Sequence, residues 1–131
     1  MIGSQAGTGQ TSSIRLAKSM NVSTLFNEIV GLYVKHGWQL RRVLLKPETR
    51  AQFDQSPALE TGPFIEAAVD AIWFSRPSHG GREAWELRLL SENPYALFET
   101  FEADEIPEER DEMLMEMENR LREYVVTKGA S

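Results

Sequence analysis

Three strand-like segments follow one another between residues 67 and 102, and this run constrains the fold more than any other feature of the chain. The segments are AAVDAIWFSRP, EAWELRLLS and PYALFETFE, and the turn-forming stretches SHGGR and ENP join them. In the middle segment Trp85, Leu87 and Leu89 fall on one face. Glu86 and Arg88 fall on the other. The pattern predicts an antiparallel meander with one buried and one wet face.

Helical patterns flank this meander. Asn21 is a good N-cap, and apolar residues recur behind it at helical spacing up to Gly37, which suits a left-handed C-terminal cap. A strand is predicted at 38–46 (WQLRRVLLK), followed by a short helical turn that opens on Pro47. A last helix starts near Pro107, and its apolar stripe is Met113, Leu114, Met117, Leu121, Tyr124 and Val125.

The order of elements is thus α-β-α-β-β-β-α, which predicts an α+β fold. We expect a two-layer sandwich in which a four-stranded, mostly antiparallel sheet carries the two long helices on one face. Residues 1–20 are predicted to form a flexible polar tail, and residues 21–131 a single domain. Residues 54–63 are predicted to be a loop because of their Pro, Gly and Ser content.

The stretch AGTGQTS near the N-terminus is similar to a phosphate-binding loop. Aligned on Gly9, that motif needs glycine at position 4 and lysine at position 10, where this chain has Ser4 and Gln10. Only three residues precede position 4, too few for the strand that normally leads into such a loop. The stretch therefore favours a polar tail over a nucleotide site.

Cysteine is absent, so the sequence excludes disulfides, thiolate nucleophiles and cysteine-ligated zinc. His36 and His79 are the two histidines. His36 precedes the glycine that ends the first helix, which favours a capping role. The chain has no apolar run of about 18 residues, as a membrane span needs. It also lacks the apolar core of a secretory signal, so we expect a cytoplasmic protein.

Charge is distributed unevenly along the chain. Residues 1–56 contain seven Lys/Arg and three Asp/Glu, whereas residues 57–131 contain seven and seventeen. This asymmetry argues against non-specific nucleic-acid binding by the whole chain, so nucleic acid is not predicted as a partner. Nucleic-acid binding through the basic strand is a third alternative, and it would depend strongly on salt. A small basic patch is left open, consisting of Lys35, Arg41, Arg42, Lys46 and Arg50. We expect it to face the acidic half of the chain rather than to form an anion site.

Two stretches could carry chemistry, and each has a simpler interpretation. SHGGR, at 78–82, offers a histidine, two glycines and an arginine, which could supply a base and an anion clamp, yet paired glycines are typical of a hairpin tip. EADEIPEERDE, at 102–112, is acidic, but it does not match the spacing of calcium ligands. It is typical of a solvated helix start that could attract basic partners. No metal site and no cofactor is predicted.

The aromatic residues of the meander cannot all lie on one face, because Trp73 and Phe74 are neighbours. With both helices on one face, the outer face would keep an apolar patch, which is typical of a partner surface or a dimer interface. The alternative is a twisted sheet whose edges the 54–63 loop covers. We therefore predict an interaction surface made of Phe74, Phe98, Phe101, Glu105 and Glu108.

These patterns favour a non-enzymatic interaction protein that binds a protein partner or a second copy of itself. In size and charge alone the chain resembles bacterial accessory proteins, such as chaperones of secreted effectors, adaptors and immunity proteins. The alternative is a binder of a small anionic molecule, or an enzyme acting on one, with a pocket between sheet and helices. Its ligand-binding residues would be Arg41, Arg42, His79 and Arg82.

Overall fold

The computed structural model describes residues 21–53 and 64–128. The predicted tail at 1–20 and the predicted loop at 54–63 lie outside the described residues, as does the end of the chain from residue 129.

The described residues form three α-helices and a five-stranded sheet. In chain order these elements are α1 (Val22–Lys35), β1 (Gln39–Leu45), α2 (Pro47–Arg50), β2 (Phe64–Glu66), β3 (Ala71–Pro77), β4 (Glu83–Leu89), β5 (Ala96–Phe101) and α3 (Pro107–Lys128). Short 3₁₀ turns follow α2, at Ala51–Phe53, and β3, at His79–Gly81. None of the helices in the described part of the chain is long and apolar enough to cross a membrane.

The strands lie in the order β2-β1-β3-β4-β5. The pairs β1–β3, β3–β4 and β4–β5 are antiparallel, which confirms the predicted meander and the mostly antiparallel sheet. The predicted strand number was too low, because the short strand β2 adds to the edge of β1 in parallel. Three residues, of which two are exposed, make a weak alternating signal, so β2 was not recognised.

Helix α1 begins and ends where its caps predict. The Asn21 side chain accepts a hydrogen bond from the Thr24 amide over 2.8 Å, which satisfies one free N–H of the first turn. At the other end Gly37 has φ +90°, and its amide donates to the Val34 carbonyl oxygen over 3.0 Å. These caps determine where α1 begins and ends. Strand β1 begins at Gln39, two residues after Gly37.

The two long helices lie on opposite faces of the sheet, so the predicted two-layer sandwich with both helices on one face is wrong. Helix α1 packs Phe26, Ile29 and Tyr33 onto Val43, Leu45, Ile72 and Phe74. Helix α3 packs Leu114, Met117 and Leu121 onto Leu44, Ala71, Trp73, Trp85, Leu87 and Phe101. Because successive strand residues point to opposite faces, these two clusters lie on the two sides of one sheet.

Strand β3 shows why both faces need a helix. Its first five residues are all buried, and Trp73 and Phe74 are each 0% exposed although they point in opposite directions. The Trp73 indole N–H also donates to Glu118 of α3 over 2.7 Å. A strand that is apolar on both faces must be covered on both, and each helix supplies one cover.

The two helices cover different numbers of strands. The side chains that pack with α3 come from β1, β3, β4 and β5, so α3 covers its face across the sheet. The strand residues packed with α1 come chiefly from β1 and β3. On β4 and β5 the α1 side carries the half-buried Glu86 and Arg88 and the exposed Phe98. Half of this sheet face is therefore left open beside α1.

Candidate functional site

The open half-face forms a groove with the neighbouring side of α1. The groove holds about 270 Å³, and its lining residues are Leu32, Tyr33, His36, Trp38, Glu86 and Arg88. Leu32 is 52% exposed, and Phe98, which extends the same surface on β5, is 58% exposed. We call this surface, made of the six lining residues and Phe98, the α1 groove.

An aromatic cluster builds the apolar wall of the α1 groove. The rings of Trp38 and Phe98 meet edge to face with centroids 6.5 Å apart, and Trp38 meets Tyr33 at 5.9 Å. Arg76 also contacts Trp38: its guanidinium lies 5.1 Å from the indole ring and donates to the His36 carbonyl oxygen over 2.7 Å. These contacts hold the Trp38 ring in place.

The polar groups of the α1 groove are bonded to one another or to the backbone. The Tyr33 hydroxyl donates a hydrogen bond to the Glu86 carboxylate. Nδ1 of His36 lies 2.9 Å from the Leu32 carbonyl oxygen, where an N–H would cap the last turn of α1. Burial, followed by the hydrogen bond and the negative charge of Glu86, raises the pKa of Tyr33 to about 12.

This shift predicts a stability loss at high pH that depends on Tyr33. Because the folded pKa of Tyr33 lies above its ordinary value of 10.0, its stabilisation is complete below pH 10 and is lost as the pH rises towards 12. We expect the wild type to lose about 2 kcal/mol more than Tyr33→Phe over this window. Urea unfolding at several pH values measures the difference. Parallel pH profiles for the two proteins would contradict it.

The predicted interaction residues do not form one surface. Phe74 is 0% exposed beneath α1, and Phe101 is 5% exposed beneath α3, because each occupies a covered part of its face. Phe98 lies in the α1 groove. Glu108 lies in the first turn of α3, and Glu105, two residues before the helix begins, lines a cleft with Phe101, whose side chain lies beneath α3. Of the three predicted aromatic residues, Phe98 alone reaches the surface.

The predicted ligand-binding residues lie in different surroundings. Arg41 and Arg42 both reach the α3 side of the sheet: Arg41 lies 5.3 Å from the Trp85 ring, and Arg42 lies 3.9 Å from a Glu118 oxygen. A bulge between Leu40 and Arg42 puts the two arginines on one side. The contact with Glu118 pairs Arg42, one member of the basic patch, with a residue of the acidic half of the chain.

The other two predicted ligand-binding residues belong to the β3–β4 hairpin. His79 is exposed within its 3₁₀ turn, where Gly80 and Gly81 have positive φ angles. Arg82 bonds to Glu102 over 3.1 Å and lines a cleft of about 340 Å³ with Arg110.

That cleft is not electropositive. Its two arginines share the lining with three carboxylates, from Glu83, Glu102 and Glu105. Arg42 lines a separate cleft of about 140 Å³ together with Asp111 and Glu118. Neighbouring carboxylates compete with an anionic ligand for each arginine, so neither cleft favours one.

The acidic region begins before β5 and continues into α3. Residues 92–118 contain eleven Asp/Glu and one Arg. Glu108 and Glu109 lie in the first turn of α3, where they interact favourably with the helix dipole. Within residues 21–53 and 64–128 no three His, Asp or Glu side chains are arranged to hold a metal ion.

Most of the α1 groove was not predicted from the sequence. Leu32 and Tyr33 look like core positions of an amphipathic helix, and Glu86 and Arg88 look like the wet face of β4. The available signal was the apolar content of β3 on both faces, which requires a helix on each side. A single 14-residue helix cannot cover five strands, so part of its face must stay open.

No protein-family model, curated protein or solved structure matches this chain.

Proposed function

We propose that this chain is a non-enzymatic interaction protein that binds another polypeptide through the α1 groove. One observation carries the proposal: Phe98 and Leu32, each more than half exposed, flank the half-buried Trp38 on one continuous surface. Apolar patches of this kind, with polar groups at their rim, mark interaction sites.

The polar chemistry of the groove favours recognition over catalysis. The Tyr33 hydroxyl donates to the Glu86 carboxylate, so each group already has a hydrogen-bond partner within the groove. His36 is placed to bond the helix backbone. Groups fixed in this way can orient a partner, while a rigid aromatic wall supplies the anchor that interface cores use.

The partner is a protein, and the site of action we propose is the cytoplasm. Self-association through the same surface belongs to the proposal, because an apolar patch can meet its own copy across a two-fold axis.

The proposal is tested by comparing the partner affinities of two variants, Phe98→Ser and Val126→Ser. A photo-crosslinking residue at position 98 identifies the polypeptide that contacts the groove, and calorimetry with that purified polypeptide then measures the affinity. We expect Phe98→Ser to weaken binding at least tenfold, since loss of an aromatic anchor removes about 2 kcal/mol.

The matched control is Val126→Ser, which removes an apolar side chain that is 74% exposed on α3. We expect its affinity to stay within about twofold of the wild type, because it lies outside the groove. Equal affinities for the two variants would refute the role of the α1 groove.

A further inference from the structure

Strand β5 is an edge strand with little of the usual protection: its one charged residue is Glu99. Among the described residues it has a strand neighbour on one side only, which is β4. Its sequence, ALFETF, contains no proline and no lysine, and its pairing with β4 is regular without a bulge. Natural edge strands normally use such devices to avoid pairing with a further strand. A regular six-residue edge with a single charged residue is suited to accept a further strand.

The pairing with β4 defines which backbone groups of β5 face outward. The Leu89 amide donates to the Tyr95 carbonyl oxygen over 2.9 Å, so these two residues form a hydrogen-bonded pair. In an antiparallel ladder such pairs alternate with non-bonded ones. The next bonded pairs therefore involve Leu97, Glu99 and Phe101. The N–H and C=O groups of Ala96, Phe98 and Thr100 point away from β4.

The side chains of these three residues lie on the sheet face that carries the α1 groove. Phe98 pairs with Glu86 and Ala96 pairs with Arg88, and both β4 residues line the groove. A strand added to β5 would place every second side chain on this same face, next to Phe98. The added strand would then form backbone hydrogen bonds with β5 and place side chains in the apolar groove. Known cases of strand addition combine the same two kinds of contact.

Charge identifies the kind of strand that fits. The segment 92–118, which includes β5, has a net charge of −10. A second copy of this chain would bring the same acidic segment to the edge, and like charges disfavour that pairing. A basic segment is attracted instead.

We propose that β5 binds an extended segment of a partner protein, in which basic residues alternate with apolar ones, as a sixth strand of the sheet. The inference rests on the proposed function, because it names the partner class and binding mode of the same surface. Binding orders the segment against Ala96, Phe98 and Thr100 while its apolar side chains contact the α1 groove.

Amide hydrogen exchange of the full chain, followed by NMR, tests the backbone pairing. The probe is an eight-residue peptide in which lysine alternates with valine, and the matched control replaces each lysine with glutamate. We expect the lysine peptide at saturation to slow exchange of the Phe98 and Thr100 amides at least about tenfold. The Leu97 and Glu99 amides already bond to β4 and should change little.

Thr100→Pro and Thr100→Val form the matched pair of variants. Proline at position 100 removes an N–H that faces outward, so the bonds to β4 are kept, as they are for prolines on natural edge strands. We expect Thr100→Pro to weaken binding of the lysine peptide at least tenfold and Thr100→Val to bind nearly as the wild type does. If Thr100→Pro does not fold, the exchange pattern of the wild type decides.

Several results would overturn the inference. Peptide binding without protection of the Phe98 and Thr100 amides would mean electrostatic attachment to the acidic surface. Equal binding of the two peptides would remove the requirement for basic residues. Protection that rises with protein concentration in the absence of peptide would identify a second copy as the added strand. Absence of binding of the lysine peptide would refute the inference that β5 accepts a basic strand. The proposed function is tested separately, by the affinities of Phe98→Ser and Val126→Ser.

Discussion

Replacing Phe74 with alanine is expected to lower the free energy of unfolding by about 3–5 kcal/mol, the range for a large aromatic side chain removed from a core. The Phe74 side chain is 0% exposed, and its ring stacks on Tyr33 with centroids 4.0 Å apart and planes 8° from parallel. Removing it leaves a cavity between α1 and β3. Because Tyr33 rests on this ring, the floor of the α1 groove should loosen as well.

Phe98→Ala is the control for this prediction. Phe98 is 58% exposed, so its removal should change the free energy of unfolding by about 0.5 kcal/mol or less. Urea denaturation of both variants measures the two effects, and equal m-values would show that both unfold from comparable native states. Similar losses of stability would contradict the placement of Phe74 beneath α1.

The sequence predicts the elements of this fold better than it predicts their arrangement in layers. Capping residues, periodicity and turns are local signals, so the bounds of α1 and the meander could be found from short windows. Which face a helix covers depends on contacts between distant residues. The prediction of both helices on one face assumes that every strand alternates as β4 does, where Trp85 and Leu87 are buried and Glu86 is not. Strands β1 and β3 contain consecutive buried residues instead, so the assumption fails for them.

A continuous apolar run within a strand is the sequence signal that indicates a helix on each face of the sheet. Residues 71–74 and 43–45 are apolar without a break, and all seven are buried. Such runs are typical of central strands covered on both faces, whereas β4 shows the pattern of a strand with one wet face. With the sheet order β2-β1-β3-β4-β5, the doubly buried strands lie under α1 and the alternating strand lies beyond it.

The candidate site was predictable only in part, for the same reason. The apolar side chains of Phe74 and Phe98 lie on the same face of the sheet, yet one is in the core and one is at the surface. The difference comes from the position of α1, which no local pattern encodes. The arginines and the histidine of the predicted anion site do not line one cleft: Arg82 lines one, Arg42 lines another, and neither cleft includes Arg41 or His79.

The connection after β1 depends on a single carboxylate, that of Asp70. Its two oxygens accept hydrogen bonds from the Lys46 amide and from the Thr49 hydroxyl, each over 2.8 Å. Lys46 is the N-cap of α2 and has no capping bond from its own side chain, while Thr49 is 5% exposed. Asp70 is the residue immediately before β3, so its carboxylate links the start of α2 to the start of β3.

We expect Asp70→Ala to lower the free energy of unfolding by about 2–4 kcal/mol, because it leaves a backbone N–H and a buried hydroxyl without their acceptor. Asp70→Asn is the matched control. It keeps one acceptor oxygen for the Lys46 amide, and its N–H₂ can donate to the Thr49 oxygen, so about half of the loss should be recovered. Urea denaturation of Asp70→Ala, Thr49→Val and the double variant would measure the coupling between the two side chains. Strict additivity would show that the Thr49 hydroxyl does not depend on Asp70, and that the carboxylate acts on the backbone of α2 alone.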